Sequence, residues 1–93
     1  MADADKIARI FKMLSVEARI LILQSLKKRA MCVYELTSQL GISQSATSQH
    51  LSVLKNVGIV KSQKRGVQVY YYLDKQNIAK LEKITSMLFK LDD

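Results

Sequence analysis

The run from Gly41 to Gly58 constrains this chain more than any other stretch. It reads as a tight turn followed by a helix. Gly41 can adopt the left-handed conformation that ends a preceding helix. Ser43 is a suitable N-cap and Gly58 closes the far end. Between them the side chains divide at helical spacing. Ala46, Thr47, His50, Leu51, Leu54 and Val57 fall on one face, and Gln44, Ser45, Ser48, Gln49, Ser52 and Asn56 on the other. The second face is polar but carries no charge. Solvated helix faces ordinarily carry Lys and Glu, whereas Gln, Ser and Asn offer short donors and acceptors of the kind that match base edges in a major groove. A merely polar surface helix is the bland alternative, so the surroundings have to decide.

Charge is the first part of those surroundings. The chain carries a net +7, yet between Leu36 and Leu73 there is no Asp or Glu. That window holds Lys55, Lys61, Lys64 and Arg65 together with the polar-faced helix. One-sided positive charge suits a polyanion. A membrane-surface helix would pair its cations with a strongly apolar face, which this helix lacks, so nucleic acid is favoured.

Helices flank this centre. Ile7, Ile10, Phe11 and Leu14 form one apolar stripe over 3–14, with Asp3 and Asp5 in the first turn, where negative charge suits the dipole. Ser15 is the expected cap of a second helix to about Leu26, with Val16, Ile20, Leu21, Leu23 and Leu26 as core candidates. Lys27, Lys28 and Arg29 either complement that helix's dipole or contact phosphate. A short third helix, about Cys32 to Leu40, turns Val33, Leu36 and Leu40 inward. With the Gly41 turn and the polar-faced helix it makes a helix-turn-helix.

After Gly58 the hydrophobic period becomes two. Ile59 to Gln63 and Val67 to Leu73 read as strands around a turn at Lys64-Arg65-Gly66. A hairpin behind a helix-turn-helix is a wing, whose cationic tip can reach phosphates or a minor groove unless it is simply a solubilising turn. Asp74 caps a last helix to about Leu91, with Ile78, Leu81, Ile84, Leu88 and Leu91 in one stripe and Met87 beside it. The first and last helices can pack internally. We expect Ile7, Ile10, Phe11, Leu14, Ile78, Leu81, Ile84, Leu88 and Leu91 also to form a two-fold dimer interface.

The expected fold is therefore mainly α with a small β-hairpin, in the order α-α-α-α-β-β-α, as a single winged helix-turn-helix domain over 1–93. Hydrophobic residues make up 48%, enough for a small core, and no apolar run approaches a membrane span. The acidic first residues lack the order of a secretory signal, and the single Cys32 fits a reducing cytoplasm. No nucleophile-base pair, paired carboxylates or Gly-rich phosphate loop is present and there is one His, so no enzyme is expected.

Leu40 to Leu54, Gly58-Ile59-Val60 and Gly66 to Leu73 closely resemble the recognition helix, the lead-in to the strands and the wing of ArsR/SmtB winged-helix repressors. The similarity covers nearly the whole chain. It implies a homodimer that binds an inverted-repeat operator, represses transcription and is released by an inducer. Arsenic-sensing members open the third helix with Cys-Val-Cys; here the run is Cys32-Val33-Tyr34, so one thiolate is replaced by a phenol. Zinc-sensing members carry Asp and His ligands on the last helix; here that region offers Asp74, Glu82, Asp92 and Asp93 but no His. No metal or other cofactor is expected, Cys32 reads as a small buried hydrophobe, and any inducer is unidentified.

The DNA-binding candidates are Ser43, Gln44, Ser45, Thr47, Ser48, Gln49, His50, Ser52, Lys55, Lys64, Arg65 and Gln68. Ser43, Gln44, Ser45, Ser48 and Gln49 are expected to read bases, with Gln44 and Gln49 best suited to adenine; Lys55, Lys64 and Arg65 are expected to bind backbone. The competing reading is a winged-helix protein-interaction module.

Overall fold

Two glycines punctuate the centre of the chain as expected. Gly41 ends one helix at φ 67° and Gly58 follows the next at φ 81°. A computed structural model describes residues 2–92, with the side chains of Ala2 and Asp3 outside that description. The expected first-turn charge of Asp3 and the terminal Asp93 thus lie outside the described residues. The elements are α1 (Ala2–Leu14), α2 (Glu17–Leu26), β1 (Met31–Cys32), α3 (Val33–Leu40), α4 (Gln44–Asn56), β2 (Val60–Arg65), β3 (Gln68–Leu73) and α5 (Lys75–Phe89).

The core lies where α2, α3 and α4 meet the sheet. Ile22, Leu36, Leu51 and Leu54 are fully buried there, with Met31 and Val60 closing the sheet side. Side chains of this size contribute about 1.5–3 kcal/mol each when removed from water. Asp74 caps α5 through the Asn77 N–H at 3.2 Å, as read from the sequence.

Several expectations are corrected. Ser15 does not cap α2: its hydroxyl donates backward to the Lys12 carbonyl at 2.6 Å, and Val16 is the N-cap. The free carbonyls at the end of α1 compete successfully for that hydroxyl. Ile22, absent from the expected core, is fully buried, whereas Ile20 and Leu21 are exposed. The run Ile20 to Leu23 is apolar around the whole circumference, so its period selects no face.

β1 was not expected, because two residues carry no period. It pairs Met31 with Tyr71 and Cys32 with Tyr70, giving an antiparallel sheet of order β1-β3-β2. Cys32 therefore precedes α3 as its N-cap, and its N–H donates to Glu35 Oε1 at 3.2 Å. Glu35 also meets Arg29 at 2.7 Å, and these two contacts, Arg29 first, hold its carboxyl below the usual range.

The hairpin turn is shorter than expected. Lys64 and Arg65 are strand residues paired with Val69 and Gln68, which leaves Gly66 and Val67 as the loop. Positive φ at the first loop residue alone, 62° at Gly66, is the type II′ pattern that matches strand twist. α5 stops at Phe89, so Leu91 lies beyond it.

A clasp joins α5 to the end of α4. Asn77 Nδ2 donates to the Gly58 carbonyl at 2.6 Å, and a Cβ on Gly58 would sit 2.3 Å from that nitrogen. Gly58→Ala should therefore cost about 1–3 kcal/mol, combining left-handed strain with loss of the clasp. Gly41, with nothing within 4 Å of a built Cβ, should show only the strain. Urea unfolding of Gly58→Ala beside Gly41→Ala measures both; equal losses at the two positions would remove the clasp from this account.

Candidate nucleic-acid interface

The orientation of α4 is set by what it buries. Ser43 caps it by accepting the Ala46 N–H at 3.1 Å. Leu51 and Leu54 point into the core, and that leaves Ser43, Gln44, Ser45, Ser48, Gln49, Ser52 and Asn56 exposed. Apart from a long Ser43–Ser45 contact of 3.5 Å, none of these exposed side chains below the cap is engaged by another described side chain. Their hydrogen-bonding capacity is free for a partner. The expected outer face is thus the observed one, and Val57, expected inside, is exposed as the helix runs out.

Thr47 is a correction. Its hydroxyl is expected at the DNA, but the residue is fully buried. Its hydroxyl donates to the Ser43 carbonyl at 3.0 Å and shares a 2.9 Å hydrogen bond with Thr37 of α3. It joins the two helices of the helix-turn-helix and does not reach solvent. The sequence carried the signal, since Thr47 lies on the inner stripe with Leu51 and Leu54.

The two flanks of α4 differ. On the side of the wing, Lys55 Nζ donates to Ser62 Oγ of β2 at 2.7 Å. On the side of α1 and α2, the half-buried His50 accepts from Arg19 Nε at 3.2 Å through Nδ1. Arg19, from α2, was not among the expected site residues. No local pattern separates it from the other cations of the chain; only the packing of α2 on α4 brings it there.

The wing cations diverge. Register places Lys64 on the sheet face of Ser62, the one nearest α4, and Arg65 with Gln68 on the opposite face. Arg65 lies over the Tyr70 ring at 5.1 Å. Lys64, Arg65 and Gln68 are all exposed. Lys61, by contrast, meets Asp74 at 3.7 Å, so the fold partly offsets one cation of the acid-free window. Arg29 is likewise paired, with Glu35.

The expected dimer residues fall on α1, α5 and the short segment beyond it. Ile10 is buried, Ile7, Leu14, Ile78, Leu81 and Ile84 are half-buried, and Phe11, Leu88 and Leu91 are exposed. α5 has no buried residue. An open apolar groove of about 430 Å³ runs past Phe11, Leu14, Leu23, Ile78 and Leu81. Among the described residues no three His, Cys, Asp or Glu side chains gather as metal ligands, and Cys32 is buried with a free thiol.

Thr47→Val should lower stability by about 1–3 kcal/mol, since it strands the Thr37 hydroxyl. It should leave duplex affinity of the folded fraction unchanged within twofold. Chemical unfolding and a duplex titration of the same preparation measure the two effects. A large affinity loss in fully folded protein would return Thr47 to the interface.

Comparison with known proteins agrees with this geometry. Residues 17–62, from α2 into β2, match the family described as "Bacterial regulatory protein, arsR family". The HTH-type transcriptional regulator MJ1325 of Methanocaldococcus jannaschii is 34% identical over 95% of this chain and the whole of that protein. Reduced HlyU of Vibrio cholerae superposes with a TM-score of 0.75 at 32% identity, covering 96% of this chain and 95% of that one. The homodimeric winged helix-turn-helix DNA-binding domain of Mb0332 from Mycobacterium bovis gives 0.75 at 26% identity, over 94% and 81%. A helix-turn-helix with a free polar outer face, a cationic wing and relatives of this kind place the chain in the arsR family of winged-helix, DNA-binding transcriptional regulators.

Proposed function

We propose that this protein is a dimeric repressor that binds an inverted-repeat operator, as one winged domain over 1–93. The observation that carries the reading is the outward face of α4: uncharged, rich in donors and acceptors, and almost unused by the fold itself. That face enters the major groove. Ser43, Gln44, Ser45, Ser48, Gln49 and Ser52 reach base edges, with Gln44 and Gln49 matched to adenine. Lys55, Lys64 and Arg65 hold the backbone or a flanking minor groove, and Gln68 accompanies Arg65 on the wing; these contacts set affinity more than sequence.

Two copies joined through α1 and α5 present two such helices about one DNA turn apart, roughly 34 Å. The exposed Phe11 and Leu88 and the apolar groove beside α1 support this pairing, because a lone protomer would leave them in water. The homodimeric Mb0332 domain supports it as well. A dimer seated on an operator excludes other proteins from that DNA. Release requires a ligand or event that favours the unbound state, and that inducer is unidentified. No described helix is long and apolar enough to cross a membrane. The place of action is the cytoplasm, where the DNA is, and the protein does no chemistry on its partner.

Gln49→Ala should cost about 1–3 kcal/mol on the operator and little on a scrambled duplex. Arg65→Ala should weaken both and reduce the salt slope by about one. The operator is selected from a random duplex pool, and each variant is titrated at several salt concentrations. Equal losses for Gln49→Ala on both duplexes count against base reading, and a pool that yields no preferred sequence favours the protein-interaction alternative. Leu88→Glu together with Phe11→Glu should give a monomer in sedimentation and weaken operator binding at least tenfold. A dimer that survives both changes removes α1 and α5 from the interface.

A further inference from the structure

Arg19 reaches α4 from α2 and spends its bonds in an unusual way. Its Nε donates to His50 Nδ1 at 3.2 Å and its Nη1 to the Met13 carbonyl at 3.0 Å, in the last turn of α1. Both acceptors are uncharged. Among the described residues the ion pairs are Arg9–Asp5, Arg29–Glu35 and Lys61–Asp74, so no carboxylate answers the Arg19 charge. A half-buried guanidinium held by neutral acceptors leaves positive potential at the flank of α4.

The geometry also sets the imidazole. A ring nitrogen that accepts carries no proton, so the His50 proton sits on Nε2. Nε2 has no partner among the described residues. Since no buried side-chain nitrogen or oxygen is left unpaired among the described residues, Nε2 opens to solvent as a free donor. A helix lying in a major groove turns its outer face to the bases and its flanks to the two strands. Lys55 occupies the flank beside the wing. His50 occupies the other.

Resting on the operator-binding reading above, we propose that Arg19 is a positioning residue for DNA binding. It orients His50 and fixes its tautomer so that Nε2–H donates to a phosphate of the strand on the α1–α2 side. The contact reads no base. It seats the recognition helix between two walls, a charged Lys55 contact on one strand and an uncharged His50 contact on the other.

His50 is the sole histidine of the chain, so imidazole nitrogen spectra of the free protein report one ring. The expected pattern is a bare, hydrogen-bonded Nδ1 and a protonated Nε2. In Arg19→Met the Nδ1 signal should lose its hydrogen-bond shift. A protonated Nδ1 in the wild type, or an unchanged spectrum in Arg19→Met, overturns the proposal. In duplex titrations Arg19→Met and His50→Ala should each weaken operator and scrambled DNA by the same factor, about two- to tenfold. The double variant should be no weaker than His50→Ala alone, and the salt slope should not change.

Losses that multiply, losses confined to the operator, or a slope lowered by about one for Arg19→Met would each sink it, the last because Arg19 would then be binding phosphate itself. His50→Gln, which keeps an N–H donor, should recover part of the loss and be indifferent to Arg19→Met. If Arg19→Met does not fold, Arg19→Lys replaces it, since an ammonium lacks the planar fork that serves two acceptors at once. Where wild type prefers its operator and Gln49→Ala removes that preference, yet Arg19 and His50 variants bind normally, this inference alone fails. Where wild type shows no preference, the repressor reading fails and this inference falls with it.

Discussion

The burial of one side of α4 governs the rest of the molecule. Leu51 and Leu54 are sunk completely into the core against α2, α3 and the sheet, and the Thr47 hydroxyl ties the same side to Thr37. Rotating the helix by one residue position, about 100°, would expose those leucines and bury glutamine and serine without partners. That penalty holds Gln44, Ser48 and Gln49 outward. The outward polar face is thus a consequence of packing: the inner face is apolar enough to leave the outer face no choice.

Charge follows a different logic. The window from Leu36 to Leu73 carries no carboxylate, which suits a polyanion. The fold then redistributes that charge. Lys61 is drawn toward Asp74, which begins α5, and Arg65 covers Tyr70 on the far sheet face. Lys55 and Lys64 remain on the side of the recognition helix. With Lys61 and Arg29 paired to carboxylates, and Arg65 still exposed at the wing, the unpaired charge is less than a count of lysines and arginines suggests. Arg19, outside the window, lies beside α4 against His50 and has no carboxylate partner among the described residues.

The ends of the chain serve the middle. α5 is anchored at its start, where Asp74 caps it and Asn77 grips the Gly58 carbonyl, and its apolar side passes from half-buried at Ile78, Leu81 and Ile84 to exposed at Leu88 and Phe89. An amphipathic helix of this kind gains most of its stability from a partner surface. The same clasp ties α5 to the turn that closes α4.

Local signals were enough for α4, both of its terminal glycines, the Ser43 and Asp74 caps and the presence of β3, because each depends on near neighbours or on a simple period. They sorted the polar outer face of α4 correctly for the same reason. They could not choose the buried side of α2, where Ile20 to Leu23 is apolar all round, nor reveal β1, whose two residues become a strand only through Tyr70 and Tyr71. Spacing alone puts Thr47 on the inner stripe, but the partner of its hydroxyl, Thr37, stands opposite it only in the packed structure. Arg19 and His50 are 31 positions apart, and their contact exists only because α2 crosses α4. Periodicity and capping are short-range and are written along the chain; which polar group is spent inside and which is left for a partner depends on contacts between distant segments, and only the packed structure makes those.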